Sequence, residues 1–224
     1  MREIALDTET KGLDPHSGHR IVEIGCVEMI NRVKTGSHFQ VYLNPERDMP
    51  MEAERVHGLS AAFLSDKPLF RQIAEAFLEF VQDAPLVIHN ASFDMKFINA
   101  ELERAGFPLI PMKRTIDTVL MARQKFPGQP ASLDALCKRF SIDLSARSKH
   151  GALLDAELLA DVYLELHGGR QVRLSLEQQA SAEGMVAHND KVMVQARHFP
   201  PSEAEVAAHA LMLEKIKDPL WLVE

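Results

Sequence analysis

Cysteine is scarce in this chain: Cys26 and Cys137 are the only two in 224 residues, and each lies in an apolar stretch. Two buried free thiols are the expectation, and a fold stapled by disulfides is excluded. Long apolar runs are missing as well, since no segment approaches the ~20 residues that a membrane-spanning helix needs. The chain opens on Met1-Arg2-Glu3-Ile4 and enters a strand-like pattern at once, so no signal peptide is expected and the compartment is read as cytoplasmic. Excess positive charge is also lacking: 25 Lys and Arg stand against 32 Asp and Glu, a net charge of −7. That balance argues against a protein gripping nucleic acid by a basic surface alone. It leaves room for a nucleic-acid enzyme that neutralises phosphate with metal ions. No internal repeat is visible, and no Cys/His cluster has the spacing of a structural zinc site.

What is present suits one globular domain of ~150–200 residues with some chain left over. Glu3-Ile4-Ala5-Leu6, Ile21 to Glu28 and Phe39 to Leu43 read as three short strands separated by turn signals, an antiparallel meander. From about Ser60 the period lengthens, and Ile73, Phe77, Phe80 and Val81 fall on one helical stripe that ends before Pro85. Leu86-Val87-Ile88 is wholly apolar, as expected of a strand buried on both faces. Helices are expected near 94–105, 117–125, 132–140 and 152–166. The order gives an α/β domain with a mixed central sheet flanked by helices. Paired glycines at 168 and 169 end it, and residues 170–200 read as a linker. Ser202 with Glu205 then forms a capping-box signature for a short helix over 202–217, striped by Val206, Ala210, Leu213 and Ile216. The only Trp follows it at 221.

Three places put carboxylates where the pattern calls for apolar residues. Asp7 and Glu9, two apart on a strand, share a face at the end of the first strand. Asp94 follows the buried strand 86–88, at the kind of strand end where α/β sheets place ligands. Asp155 lies on the stripe Asp155, Leu159, Val162 and Leu166 that should face the core, where an uncompensated carboxylate is costly. Glu157, Asp161 and Glu165 take the opposite, solvated face. Each acid alone has an ordinary structural explanation, as does His150 near a helix start. Jointly they suit one oxygen-lined site, which selects Mg²⁺ or Mn²⁺ over Zn²⁺. Two such ions stabilise the attacking and leaving oxygens of a phosphoryl displacement. A nearby His can take the proton from the attacking water.

The stretches Asp7-Thr8-Glu9-Thr10-x-Gly12, Asn90-x-x-Phe93-Asp94 and His150-x-x-x-x-Asp155 resemble the three motifs of the DEDDh group of 3′→5′ exonucleases. That group has an RNase H-like fold and two-metal chemistry. The resemblance implies Asp7, Glu9, Asp94 and Asp155 as metal ligands, two Mg²⁺ or Mn²⁺ ions as cofactors, and His150 as general base. It further implies that Glu52 and His57, with Asp7, Glu9 and Asp155, contact the terminal nucleotide, and that Gly12 lets the chain approach it closely. Ile21 to Gly25, Val56-His57-Gly58-Leu59, Phe126-Pro127-Gly128 and Ser132 to Cys137 extend the likeness, over residues 1 to about 169, to the proofreading members that serve bacterial replicative polymerases. From that likeness residues 201–224 are expected to bind the polymerase catalytic subunit, with a theta-like small subunit as a further partner. Gln171 to Leu176 resembles the peptide by which replication proteins dock on the sliding clamp. A free-standing DEDDh enzyme acting on RNA or short oligonucleotides is the alternative. Lys11 stands where the family usually has a second Thr, and its side chain is expected either to touch phosphate or to turn to solvent.

Overall fold

Backbone pairing sets the first strand between two neighbours of opposite polarity, and that arrangement creates the site. In the computed structural model, residues 1–145, 150–169 and 200–215 are described. Among them strand β1 (Arg2–Thr10) pairs antiparallel with β2 (Ile21–Ile30), which pairs antiparallel with β3 (Val33–Tyr42). Helices α1 (Met51–His57), α2 (Ala61–Leu64) and α3 (Phe70–Val81) lead to β4 (Leu86–Ile88), which returns parallel to β1. Helix α4 (Ala91–Ala105) then leads to β5 (Thr115–Asp117), parallel to β4, so the sheet order is β3-β2-β1-β4-β5. Helices α5 (Thr118–Lys125), α6 (Leu133–Phe140) and α7 (Ala152–Leu166) follow. The expected meander and mixed α/β sheet are both present.

Strand alternation divides the core into two layers. Ile4 and Leu6 point into a cluster with Phe70, Phe77, Met95 and Ile98 of α3 and α4. Ala5 points the other way, toward Val87, Leu136, Leu159 and Val162 beneath α6 and α7. Asp7 and Glu9 continue the second of these faces and Thr8 the first, so the end of β1 reaches both sides of the sheet. Both cysteines are buried, one in each layer, and burial pushes the Cys26 thiol far up.

Several boundaries differ from expectation. Strand β3 begins at Val33, not Phe39, because Asn31 (φ 51°) and Arg32 (φ 68°) make a two-residue hairpin turn with both residues left-handed. Residues 33–38 are exposed on this edge strand, so no apolar alternation marks them. The helix expected at 94–105 starts three residues earlier, after Asn90 at φ 70°. The segment expected as one helix over 117–125 contains the end of β5, with the Asp117 side chain accepting from Val119 and Leu120 to start α5. Helices α1 and α2 were not expected; both are too short to show a period.

The chain divides into two compact units, residues 1–174 and 175–224. In the second, α8 (Glu203–Leu213) carries the expected capping box: Ser202 Oγ accepts from Glu205 N–H, and Glu205 Oε2 accepts from Ser202 N–H. The linker and the clamp-like stretch 171–176 lie outside the described residues, as do Ile216 and Trp221. Among the described residues no helix is long and apolar enough to cross a membrane.

Candidate active site

The four acids arrive on three elements, β1, α4 and α7, and a separate local reason holds each element's acids there. Asp7 and Glu9 leave β1 just past its last pairings with β4, at Leu6↔Ile88. Asp94 sits in the first turn of α4, where a carboxylate also suits the helix dipole. Its Oδ1 accepts from Thr8 N–H at 3.1 Å and from Thr8 Oγ1–H at 2.7 Å, which fixes the carboxylate against the end of β1. Asp155 occupies the first turn of α7 and is 4% exposed, so the expected core-facing stripe is observed. His150 is half exposed, and its Nδ1 lies 3.1 Å from Asp155 Oδ2.

The structure brings Glu9, His150 and Asp155 together, with one ligand atom from each within 4.8 Å of the others. Asp7 joins them electrostatically. Burial, then the like charges of Asp94, Asp155, Glu9 and Glu23, hold its carboxyl well above the usual range. Asp94 is pushed up to about 7, chiefly by burial and against the lowering influence of its Thr8 hydrogen bonds. Carboxylates crowded until they resist ionising are a donor set that a hard divalent cation relieves. All four acids offer only oxygen, so the residues fit such an ion.

Two clefts meet here. One of about 330 Å³ is lined by Asp7, Glu9, Phe93, Asp94, His150 and Asp155. The other, of about 540 Å³, is lined by Glu9, Lys11, Gly12, Glu52, His57 and Phe93. Glu9 and Phe93 belong to both, so a group in the second cleft abuts the acids directly. Glu52 is exposed at the rim on α1. His57 is buried, and its Nδ1 accepts from Leu59 N–H at 3.0 Å, which places the ring proton on Nε2. The last turn of α1 also reaches the backbone of His150, whose N–H donates to Val56 C=O at 3.4 Å. A side chain at Gly12 would come within 2.6 Å of the His19 ring, so the close turn there depends on glycine.

Lys11 is not turned to solvent. It is buried at 5% exposure, and its Nζ donates to the Asp48 carbonyl at 3.1 Å. The ammonium thus ties the end of β1 to the segment that leads into α1. Desolvation, followed by the nearby Arg47 charge, lowers its pKa.

Comparison with known proteins decides the family. Residues 4–163 match the family model described as Exonuclease. The DNA polymerase III subunit epsilon of Rickettsia conorii is 52% identical over 222 residues, covering 96% of this chain and 96% of the relative. The chain belongs to the epsilon-subunit family of DNA polymerase III. The Escherichia coli K12 epsilon subunit is 41% identical over 228 residues, covering 96% of this chain and 93% of its own length. Among solved structures, exonuclease X in complex with 5′ overhanging duplex DNA superposes with a TM-score of 0.57 at 28% identity, covering 74% of this chain and 90% of that one. The nuclease domain of 3′hExo, a DEDDh family member bound to rAMP, gives 0.63 at 17% identity with the same coverages and supports the RNase H-like fold. As an epsilon-family member the chain is a proofreading 3′→5′ exonuclease, and its family works with divalent metal ions.

Sequence reasoning overlooked Thr8, which orients Asp94, and Glu23, whose role is taken up below. Strand alternation alone would have pointed Thr8 at the layer that α4 occupies, so a signal for it existed.

Proposed function

We propose that this exonuclease removes mispaired nucleotides from the 3′ end of a primer strand as nucleoside 5′-monophosphates, using two Mg²⁺ or Mn²⁺ ions, in the cytoplasm. The observation that carries the reading is the convergence of Asp7, Glu9, Asp155 and His150 beside the Glu52–His57 cleft. Asp7, Glu9, Asp94 and Asp155 would hold the ions. When bound, such ions stabilise the attacking and leaving oxygens of an in-line phosphodiester displacement.

The chain's own groups perform the remaining tasks. His57 and Glu52 hold the terminal nucleotide against Phe93, with its scissile phosphate turned toward Glu9 and Asp7. Asp155 orients the His150 imidazole through Nδ1, leaving Nε2 to accept the proton of the attacking water. Thr8 keeps Asp94 from rotating away.

An acidic domain has little affinity of its own for DNA, so it needs a carrier that raises its local concentration. The curated relatives are named as subunits of DNA polymerase III. We assign residues 201–224 to the polymerase III alpha subunit, residues 171–176 to the sliding clamp, and a theta-like subunit as a further partner. The test is release of 5′-monophosphates from a primer with a mispaired 3′ end, with and without divalent cation. Replacing Asp7 and Glu9 together by Ala should abolish it. Hydrolysis that survives in this double variant after chelation and metal add-back overturns the two-ion reading.

A further inference from the structure

Helix α7 carries one acid of the site and follows directly on His150, yet its own N-terminus has no side-chain cap. The capping position is Gly151, which has no side chain to offer. The acceptor comes instead from β2: Glu23 Oε2 accepts from Ala152 N–H at 3.1 Å. Glu23 is 2% exposed. Its other oxygen accepts from Gln40 Nε2 at 2.8 Å, and the same amide reaches Tyr42 Oη at 3.1 Å. A buried carboxylate is tolerable when both oxygens are hydrogen-bonded and a helix N-terminus faces it.

The strand beneath is shaped for the same purpose. Glu23 stands opposite Glu9 in the β1–β2 ladder, and Gly25 stands opposite Asp7. A Cβ on Gly25 would lie 2.2 Å from the Ala152 carbonyl carbon and 2.3 Å from Leu153 N. The backbone of α7 therefore rests on the sheet at the one place where β2 has no side chain. The partner of Asp7 sets how near the helix comes, and the partner of Glu9 clips it.

We propose that Glu23 is a positioning residue for the nuclease, fixing the first turn of α7 so that Asp155 and His150 face Asp7 and Glu9. The proposal rests on the exonuclease reading above and adds a residue that touches neither substrate nor the reacting atoms. Glu23 acts at Ala152, two residues beyond His150 and three before Asp155. Misplacement of a reacting group by about 1 Å can lower turnover ~10²-fold, so a loosened first turn is felt in kcat. The terminal-nucleotide cleft around Glu52 and His57 is built on other elements, so KM is spared.

The experiment uses the full chain with Glu23→Ala and Glu23→Gln. The readouts are kcat and KM on a primer end, Mn²⁺ affinity by calorimetry, and exchange of the Ala152 amide in metal-free protein. Glu23→Ala should lower kcat and Mn²⁺ affinity by about 10–100-fold, the range typical of residues supporting metal ligands. KM should stay within about twofold, and Ala152 exchange should quicken as its hydrogen bond is lost. Glu23→Gln should recover most of the loss, because its amide oxygen can still accept from Ala152 while the Gln40 amide turns to offer its own oxygen. Should Glu23→Ala not fold, Gln40→Ala gives the same comparison in milder form, and a kcat equal to the parent's overturns the proposal. So does a Glu23→Ala protein with parental kcat and Mn²⁺ affinity, or a folded Glu23→Gln protein as impaired as Glu23→Ala. A parent protein without nuclease activity overturns the function instead, and Mn²⁺ affinity with Ala152 exchange then decides the role of Glu23 separately.

Discussion

Without cations the acidic site should work against the fold, and pH exposes how much. Asp94, 3% exposed, has its pKa pushed from 3.8 to about 7. A carboxyl raised on folding is protonated more readily in the native state, so its contribution is favourable at low pH and lost as pH rises toward the folded pKa. A gap of about 3 units corresponds to about 4 kcal/mol. Roughly two-thirds of that falls above pH 5, so metal-free protein should lose about 3 kcal/mol between pH 5 and pH 8 through Asp94. At this chain length that is a fall in Tm of about 6–12 °C. Asp7 is raised too and adds in the same direction. His89 and His167, both lowered by burial, act oppositely: their stability is gained as pH rises through 6.5. Asp94→Asn separates the contributions, since its amide oxygen can still accept from Thr8. In chelator, the variant should gain on the parent by about 3 kcal/mol as pH goes from 5 to 8. Adding Mg²⁺ at 100 times its Kd should then return about 2.7 kcal/mol to the parent and less to the variant. Melting curves that stay parallel across this pH range would refute the assignment of strain to Asp94.

Other consequences follow from the same geometry. His150→Ala should lower turnover ~10²–10⁴-fold while cation affinity, titrated by calorimetry, stays near parental. Asp155→Ala should lose both, and equal losses of cation affinity in the two variants would make His150 a ligand. Lys11→Thr removes a buried charged hydrogen bond to Asp48 and should cost about 1.5–3 kcal/mol in denaturant unfolding. It should raise KM more than it lowers kcat, because the segment it ties leads into α1. Trp221→Ala should weaken binding to the alpha subunit by more than about 1 kcal/mol in a titration, with the exonuclease rate unchanged.

The parts of the fold that sequence revealed are those with one face buried. The stripe through Phe77 and Val81 and the apolar run 86–88 needed no tertiary information. The three acid motifs were visible because a carboxylate on an apolar stripe breaks a strong local pattern, as at Asp155. Strand β3 began earlier than expected because its first six residues are exposed and carry no alternation. Strand β5 is three residues long, too short to register a period. Lys11 was misjudged for a different reason. Whether a long cation meets phosphate, water or a backbone carbonyl depends on where residue 48 returns in space. Glu23 was hidden similarly: a Glu alternating with Ile looks like the wet side of a strand until α7 is laid over it.

The order in which this chain leaves the ribosome gives the central position of β1 another meaning. Its antiparallel neighbour β2 is complete by residue 30, but its parallel neighbour β4 is made only at residues 86–88 and α7 only by residue 166. Contacts so distant along the chain close late and slow folding. At a synthesis rate of ~5–20 residues per second, the first acids wait about 7–30 s for the last one. Until residue 88 is made β1 lacks its β4 neighbour, and a fragment ending before Asp155 is expected not to cut DNA. On the proposed roles of these acids, nuclease activity should begin only once the whole domain exists.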